Sequence, residues 1–144
     1  MDYTIRQMTL DDYDKAYSLW DATDGVSLAA EDSRDTLELY LRRNQGLCFV
    51  ATVDGQLVGT VLCGHEGRRG ILRHLAVAPQ FRGKGIARTL VNECLSALAR
   101  EGIHTCNTFV LESNVEGRRF WEHMGWGVHQ DRFHLMQTRT KAEE

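Results

Sequence analysis

A mixed α/β (α+β) domain, one β-sheet with helices on both faces, is what this sequence predicts, and three observations carry the prediction. Apolar spacing along the chain switches repeatedly between the two-residue period of strands and the 3.6-residue period of helices. Asp54-Gly55 lies between two β-branched runs, the signature of a tight hairpin. The run 71–78 is apolar on both faces apart from Arg73 and His74, and it leads through a glycine-containing turn into an amphipathic helix, as expected for the middle of a covered sheet.

Each element has its own reason. Asp2 to Gln7 alternates Tyr3 and Ile5 with Thr4 and Arg6, a half-buried first strand. Thr9 and Asp12 form a capping pair ahead of Leu10, Tyr13, Tyr17 and Trp20 at helical spacing. The acidic link 21–33 has the composition of a solvated loop. Ser33 or Asp32 caps a second helix carrying Leu37, Tyr40 and Leu41, which Asn44 or Gly46 ends. Leu47–Val53 and Gln56–Cys63 are the hairpin strands, and Gly67-Arg68-Arg69-Gly70 turns the chain into the strand Ile71–Ala78. Pro79 removes a ladder donor and ends that strand. The next helix places Ile86, Leu90, Val91, Cys94, Leu95 and Leu98 on one face and stops at Gly102. Cys106–Leu111 is a further strand. Asn114 opens a helix that ends near Gly125, and Gly127–Gln130 with Phe133–Thr138 close the sheet around Asp131-Arg132. The order is β-α-α-β-β-β-α-β-α-β-β, a single domain over residues 1–144.

Composition narrows the function classes. A hydrophobic content of 42% over 144 residues supports one real core. A net charge of −3 invites no polyanion, and the arginines of 68–119 are spread through turns and a helix, so no nucleic-acid partner is expected. With no long apolar segment or cationic leader, neither a membrane partner nor export is expected. Cys48, Cys63, Cys94 and Cys106 lie far apart inside apolar runs, which reads as reduced thiols and a cytoplasmic setting. The six histidines form no H-E-x-x-H and no paired Cys/His spacing, so no metal is expected, and no G-x-S-x-G elbow occurs.

The stretch Val77 to Ala87 has the ingredients of an anion cradle. A helix start leaves backbone N–H groups without partners and carries partial positive charge. Gly83 and Gly85 remove the Cβ atoms that would hold an anion away, and Arg82 and Lys84 add cationic side chains. A Walker loop fails here, because position 78 is Ala and Gly85 stands where Ser or Thr is required. A dinucleotide fingerprint would want a third glycine where Arg88 stands.

Gln80-x-x-Gly83-x-Gly85, following a strand and opening a helix, resembles the acetyl-CoA motif of the GNAT N-acetyltransferase superfamily. Asn114-x-x-Gly117-x-x-Phe120-Trp121-x-x-x-Gly125-Trp126 is similar to that family's second signature, and the element order matches over essentially the whole chain. The resemblance implies acetyl-CoA as cosubstrate and an acetyl group moved to a primary amine by direct attack in a ternary complex. It implies that backbone amides of Arg82, Gly83, Lys84, Gly85, Ile86 and Ala87, with Gln80 in the motif, hold the CoA pyrophosphate. Leu75, Ala76 and Val77 would pair with the pantetheine arm, and the amide near Val77 would polarise the thioester carbonyl. Asn114, Gly117, Phe120 and Trp121 would line the far side of the wedge between this strand and 106–111.

Two departures matter. Trp121 stands where many relatives carry a tyrosine credited with protonating the leaving thiolate, and an indole N–H is no proton source near neutral pH. The middle of the strand 106–111 reads Thr108-Phe109-Val110, with no glutamate. Candidate bases are His74 and Glu112, with His65 and Glu66 closing the preceding strand. The acceptor is a small-molecule or peptide amine, and Asp21, Asp24, Glu31 and Asp32 would attract its cation; a homodimer is left open. A second reading is a catalytically weak acyl-CoA-binding or regulatory module.

Overall fold

The computed structural model describes residues 2–129 and 134–140. Five strands, β1 (Thr4–Gln7), β2 (Phe49–Val53), β3 (Gln56–His65), β4 (Gly70–Val77) and β5 (Cys106–Thr108), form one sheet in the order β1-β2-β3-β4-β5. The first three pairings are antiparallel and β4–β5 is parallel. Four helices, α1 (Tyr13–Asp21), α2 (Arg34–Arg43), α3 (Ile86–Arg100) and α4 (Val115–His123), complete the order expected as far as α4.

Local chemistry explains the element ends. Asp12 accepts from the Thr9 amide at 2.9 Å at the entry to α1. Ser33, not Asp32, caps α2, accepting from the Thr36 amide at 3.2 Å. Asp54 and Gly55 both have positive φ, 50° and 78°, as a two-residue hairpin turn of the primed type requires.

The sheet is covered on both faces, as the sequence predicts. One face buries Val58, Val61 and Leu72 with Ile86, Leu90, Val91 and Leu98 of α3 and Trp121 of α4. The other buries Val50, Leu62 and Ala76 with Ala16 and Trp20 of α1 and Leu37 of α2. Each such aliphatic side chain removed from water contributes about 1.5–3 kcal/mol.

The differences from expectation lie at the β5 end. β5 stops at Thr108 rather than Leu111: its ladder with β4 runs only over Gly70–Leu72, and the Thr108 hydroxyl donates to the Leu72 carbonyl at 3.0 Å where the strands part. The described parts of the two expected closing strands, 127–129 and 134–138, are irregular; Gln130 and Phe133, with Asp131 and Arg132, fall outside the described residues. Val128, Leu135 and Met136 are exposed, and alternation becomes a strand only where one face is buried. Among the described residues no helix is long and apolar enough to cross a membrane.

Candidate active site

The turn after β4 is a backbone device. Gly83 and Gly85 adopt φ of 77° and 84°, the left-handed region that costs other residues roughly 1–2 kcal/mol. A Cβ at Gly83 would meet nothing within 4 Å, so the turn is open above it. Gly85 is the N-cap of α3 and no side chain caps that helix, which leaves the first-turn amides directed outward. Tyr3, at the start of β1, steadies this end: its hydroxyl lies 2.8 Å from that of Thr89, which donates to the Gly85 carbonyl at 2.9 Å. An open turn of uncapped amides at the start of a long helix fits a CoA pyrophosphate. Lys84 is exposed beside it. Arg82 instead turns back, its Nε donating to the Val77 carbonyl at 2.9 Å. Gln80 is exposed in the short helical turn Pro79–Phe81.

The open edge of β4 leads to this turn. The Ala78 amide donates to the Val58 carbonyl at 2.8 Å, and antiparallel alternation then directs the N–H and C=O of Val77 away from β3, toward the side that β5 has left. Ala76 and Val77 are buried, so the backbone of this segment rather than its side chains faces the wedge, with Leu75 half-buried against the core on the α3 face.

A β-bulge places His74. In the β3–β4 register Thr60 faces Ala76 and Leu62 faces Arg73, so Val61 opposes two residues, His74 and Leu75. His74 is the bulged residue, with φ of 52°. The strain is held by a buried hydroxyl. Thr60, fully buried, donates to the His74 carbonyl at 2.9 Å and accepts from Trp20 Nε1 at 2.8 Å. The Trp20 indole meets the imidazole edge-on, centroids 4.7 Å apart. Asp32 Oδ1 sits 2.6 Å from His74 Nε2, both side chains 13% exposed. An ionised carboxylate only accepts, so Nε2 carries the proton and Nδ1 keeps its lone pair when the ring is neutral. Asp32 is itself held, its other oxygen accepting from the Ala29 amide at 2.9 Å and its carbonyl from the Tyr13 hydroxyl at 2.7 Å.

The other expected residues divide. Glu112 is exposed in the loop before α4. His65 and Glu66 lie at the opposite end of β4 from Val77: His65 Nε2 bonds Glu101 at 2.9 Å, its Nδ1 accepts from the Gly67 amide, and Glu66 pairs with Arg68 at 2.7 Å. Asn114 caps α4, accepting from the Gly117 amide at 2.9 Å, and a Cβ at Gly117 would collide with that same side chain, so glycine there is what the cap allows. Phe120 is half-buried, and Trp121 is 9% exposed, meeting Phe120 edge-on at 5.2 Å and Trp126 at a tilt at 4.5 Å between centroids. Trp121 is thus an aromatic core residue. Of the four acidic residues assigned to cation attraction, Asp32 is occupied by His74, while Asp21, Asp24 and Glu31 are exposed. The cysteines are free thiols; burial pushes Cys48 and Cys106 up to about 12, and the neighbouring Cys63 thiol together with burial raises Cys94 as well, which suits packing rather than nucleophilic use.

The parts missed from sequence are Asp32 as the partner of His74, Thr60 as its support, Trp20 as its wall and Tyr3 beneath the glycine turn. One local signal pointed to the bulge: Arg73-His74 is a pair of adjacent polar residues in an otherwise apolar strand, and adjacent residues share a face only where the two-residue period breaks.

The acetyltransferase (GNAT) family profile matches residues 8–126. The fold is similar to that of the PaiA N-acetyltransferase from Thermoplasma acidophilum, solved in complex with coenzyme A, at a TM-score of 0.80 and 21% identity over 92% of this chain and 94% of that one. It is similar to Ard1 from Thermoplasma volcanium at 0.77 and 20% identity, over 90% and 85% of the two chains. It is also similar to glucosamine-6-phosphate N-acetyltransferase from Arabidopsis thaliana at 0.68 and 18%, over 94% and 99%. The profile spans most of the chain and ends at Trp126 of the second signature, so this protein belongs to the GNAT acetyltransferase family.

Proposed function

We propose that the chain transfers the acetyl group of acetyl-CoA to a primary amine by direct attack in a ternary complex, with His74 as general base and Asp32 as its positioning residue. The observation that carries this reading is the sequence of features along one strand and the turn after it: a carboxylate-bound imidazole at a bulge, a Val77 N–H directed away from β3, and amides without a side-chain cap at Gly83–Ala87. Acetyl-CoA supplies the activated acyl group as a thioester. The turn amides hold its phosphates, and Leu75–Val77 offer their backbone to its arm. The Val77 N–H donates to the carbonyl oxygen as charge builds there during attack. His74 Nδ1 takes the proton from the attacking nitrogen as the C–N bond forms and the C–S bond breaks. Asp32 keeps the ring in the tautomer that can accept.

Trp121 leaves the departing thiolate without an acid from α4. A thiol of ordinary pKa, about 8.5, needs no such help to leave. The same residue motivates the second reading, an acyl-CoA-binding module with weak chemistry. Calorimetric titration with acetyl-CoA at near-millimolar concentration, followed by thiol release across peptides, polyamines, aminoglycosides and amino acids, separates the two. Binding with amine-dependent release is the expected result. Binding without release favours the second reading, and no binding overturns both.

A further inference from the structure

A cavity of about 480 Å³ opens between α2 and the paired ends of β4 and β5, on the α2 side of the sheet and at the opposite end of β4 from the glycine turn. Its wall mixes apolar surface from Leu39, Ile71 and Phe109 with the cations Arg43 and Arg69. Arg68 also lines it but is paired with Glu66. Among the described residues Arg43 and Arg69 have no carboxylate partner, so the cavity carries uncompensated positive charge.

A second observation is independent of that charge. The Tyr40 hydroxyl lies in the lining, is buried, and has no hydrogen-bond partner among the described residues. Burial pushes the phenol well above its ordinary value, so it stays a neutral donor. Buried hydroxyls are nearly always paired, and one left open on a cavity wall is a vacant donor. Gly64 shapes the approach: a Cβ there would stand 2.9 Å from both the Tyr40 hydroxyl and Asn44 Oδ1.

The cavity lies along β4 from His74. Phe109, in its lining, lies under the Arg73 guanidinium at 5.5 Å from the ring centroid, and Arg73 precedes His74 on the same face of β4. From Ile71, on the cavity wall, to His74 is three strand residues, roughly 10 Å at about 3.3 Å each. Past Arg73 the charge reverses at the far end of that span, from the arginines to the Asp32 carboxylate and the acidic loop that holds it.

From the unpaired cations, the vacant hydroxyl and this reversal, we propose that the cavity binds the anionic end of the acceptor. The acceptor is then a zwitterionic primary amine whose carboxylate or phosphate sits between Arg43, Arg69 and Tyr40 while its nitrogen reaches His74. This names the substrate class of the acyl-transfer site proposed above and rests on that reading.

Thiol release from acetyl-CoA is compared for three amines of matched reach: hexylamine, 6-aminohexanoate and 6-aminohexyl phosphate. The wild-type protein should use one or both anionic amines at least about tenfold better in kcat/KM than hexylamine, the worth of one charge-assisted hydrogen bond, and the better of the two identifies the anion. Arg43→Ala/Arg69→Ala, at two exposed positions, should remove that advantage and leave hexylamine and the KM for acetyl-CoA unchanged. Tyr40→Phe should raise KM for the anionic amine without loss of thermal stability, because no bond within the protein is lost. Equal use of all three amines by the wild type, or variants that weaken all three alike, would overturn the assignment. If acetyl-CoA does not bind at all, the acyl-transfer reading fails first. Calorimetry of 6-aminohexanoate and 6-aminohexyl phosphate on wild type and double variant then decides the cavity separately: heat only with the wild type upholds the anion site, and no difference removes it.

Discussion

Two sites flank Val77, and they are made of different materials. On its C-terminal side the turn 83–87 is a run of consecutive residues whose proposed working groups are backbone amides, aimed by two glycines at positive φ and left without a side-chain cap at the start of α3. On its N-terminal side His74 is aimed by side chains from elsewhere: Asp32, 42 residues away, and Thr60, 14 residues away, itself fixed by Trp20. The first site should therefore tolerate side-chain exchange at Lys84 or Ala87 and fail when the backbone changes. The second keeps its backbone through most substitutions and fails when any one of a few distant polar atoms is removed.

The largest effect expected is at the side-chain site. His74→Gln removes the proposed base and should lower kcat by about 10²- to 10⁴-fold while acetyl-CoA affinity is unchanged. Asp32→Asn should lower kcat less, again without touching acetyl-CoA affinity, and steady-state kinetics beside calorimetry reads both. Gly83→Glu is the reciprocal experiment. It puts a carboxylate into an open anion cradle at φ 77°, where nothing lies within 4 Å of the new Cβ. Like charges across a contact cost several kcal/mol, so acetyl-CoA affinity should fall by roughly 100-fold, with only a small drop in melting temperature from the strained backbone. If His74→Gln weakened acetyl-CoA binding as much as Gly83→Glu, the two would be one site and the distinction would fail.

The same division explains what could be read from sequence. Turn 82–87 was legible because its chemistry depends on residues adjacent in the chain: two glycines, a preceding strand and a following helix. The hairpin at Asp54-Gly55 and the cap at Ser33 were legible for the same reason. His74 was visible as a candidate, but its partner was not, because Asp32 looks in sequence like one more acid in a solvated loop. Only the packing of α1 against β3 and β4 brings that loop across the bulge. β5 was read three residues too long because Phe109 and Leu111 have strand chemistry; in the fold they lie past the point where β4 and β5 part, 72% and 57% exposed. Trp121 was legible as a departure from the motif's tyrosine, an indole that packs rather than donates a proton, and its contacts are with Phe120 and Trp126 in the core.

The smallest effect sharpens the contrast through pH. Arg6 and Asp12 tie β1 to the entry of α1, the helix that carries Trp20, with Arg6 nitrogens 2.7 and 2.9 Å from the carboxylate. Burial opposes ionisation of Asp12, but the bonds from Arg6 and the Thr9 amide outweigh it and hold the carboxyl below its ordinary value. A carboxyl lowered in the folded state adds stability that is complete above its unfolded value, about pH 4, and lost as pH falls through the folded one. Because the Arg6 side chain is 46% exposed, solvent screens the pair, and Asp12→Asn should cost only about 1 kcal/mol at pH 7, or a melting temperature lower by about 3 °C. That gap should close as pH falls below about 4, since the wild type then loses the same charge. The start of α3 should not follow, because the tie there is the neutral hydroxyl chain from Tyr3 through Thr89 to Gly85. Amide exchange measured from pH 5 to pH 3 should therefore show α1 loosening ahead of the first turn of α3; synchronous loosening would mean that the two sides of Val77 share one cooperative support.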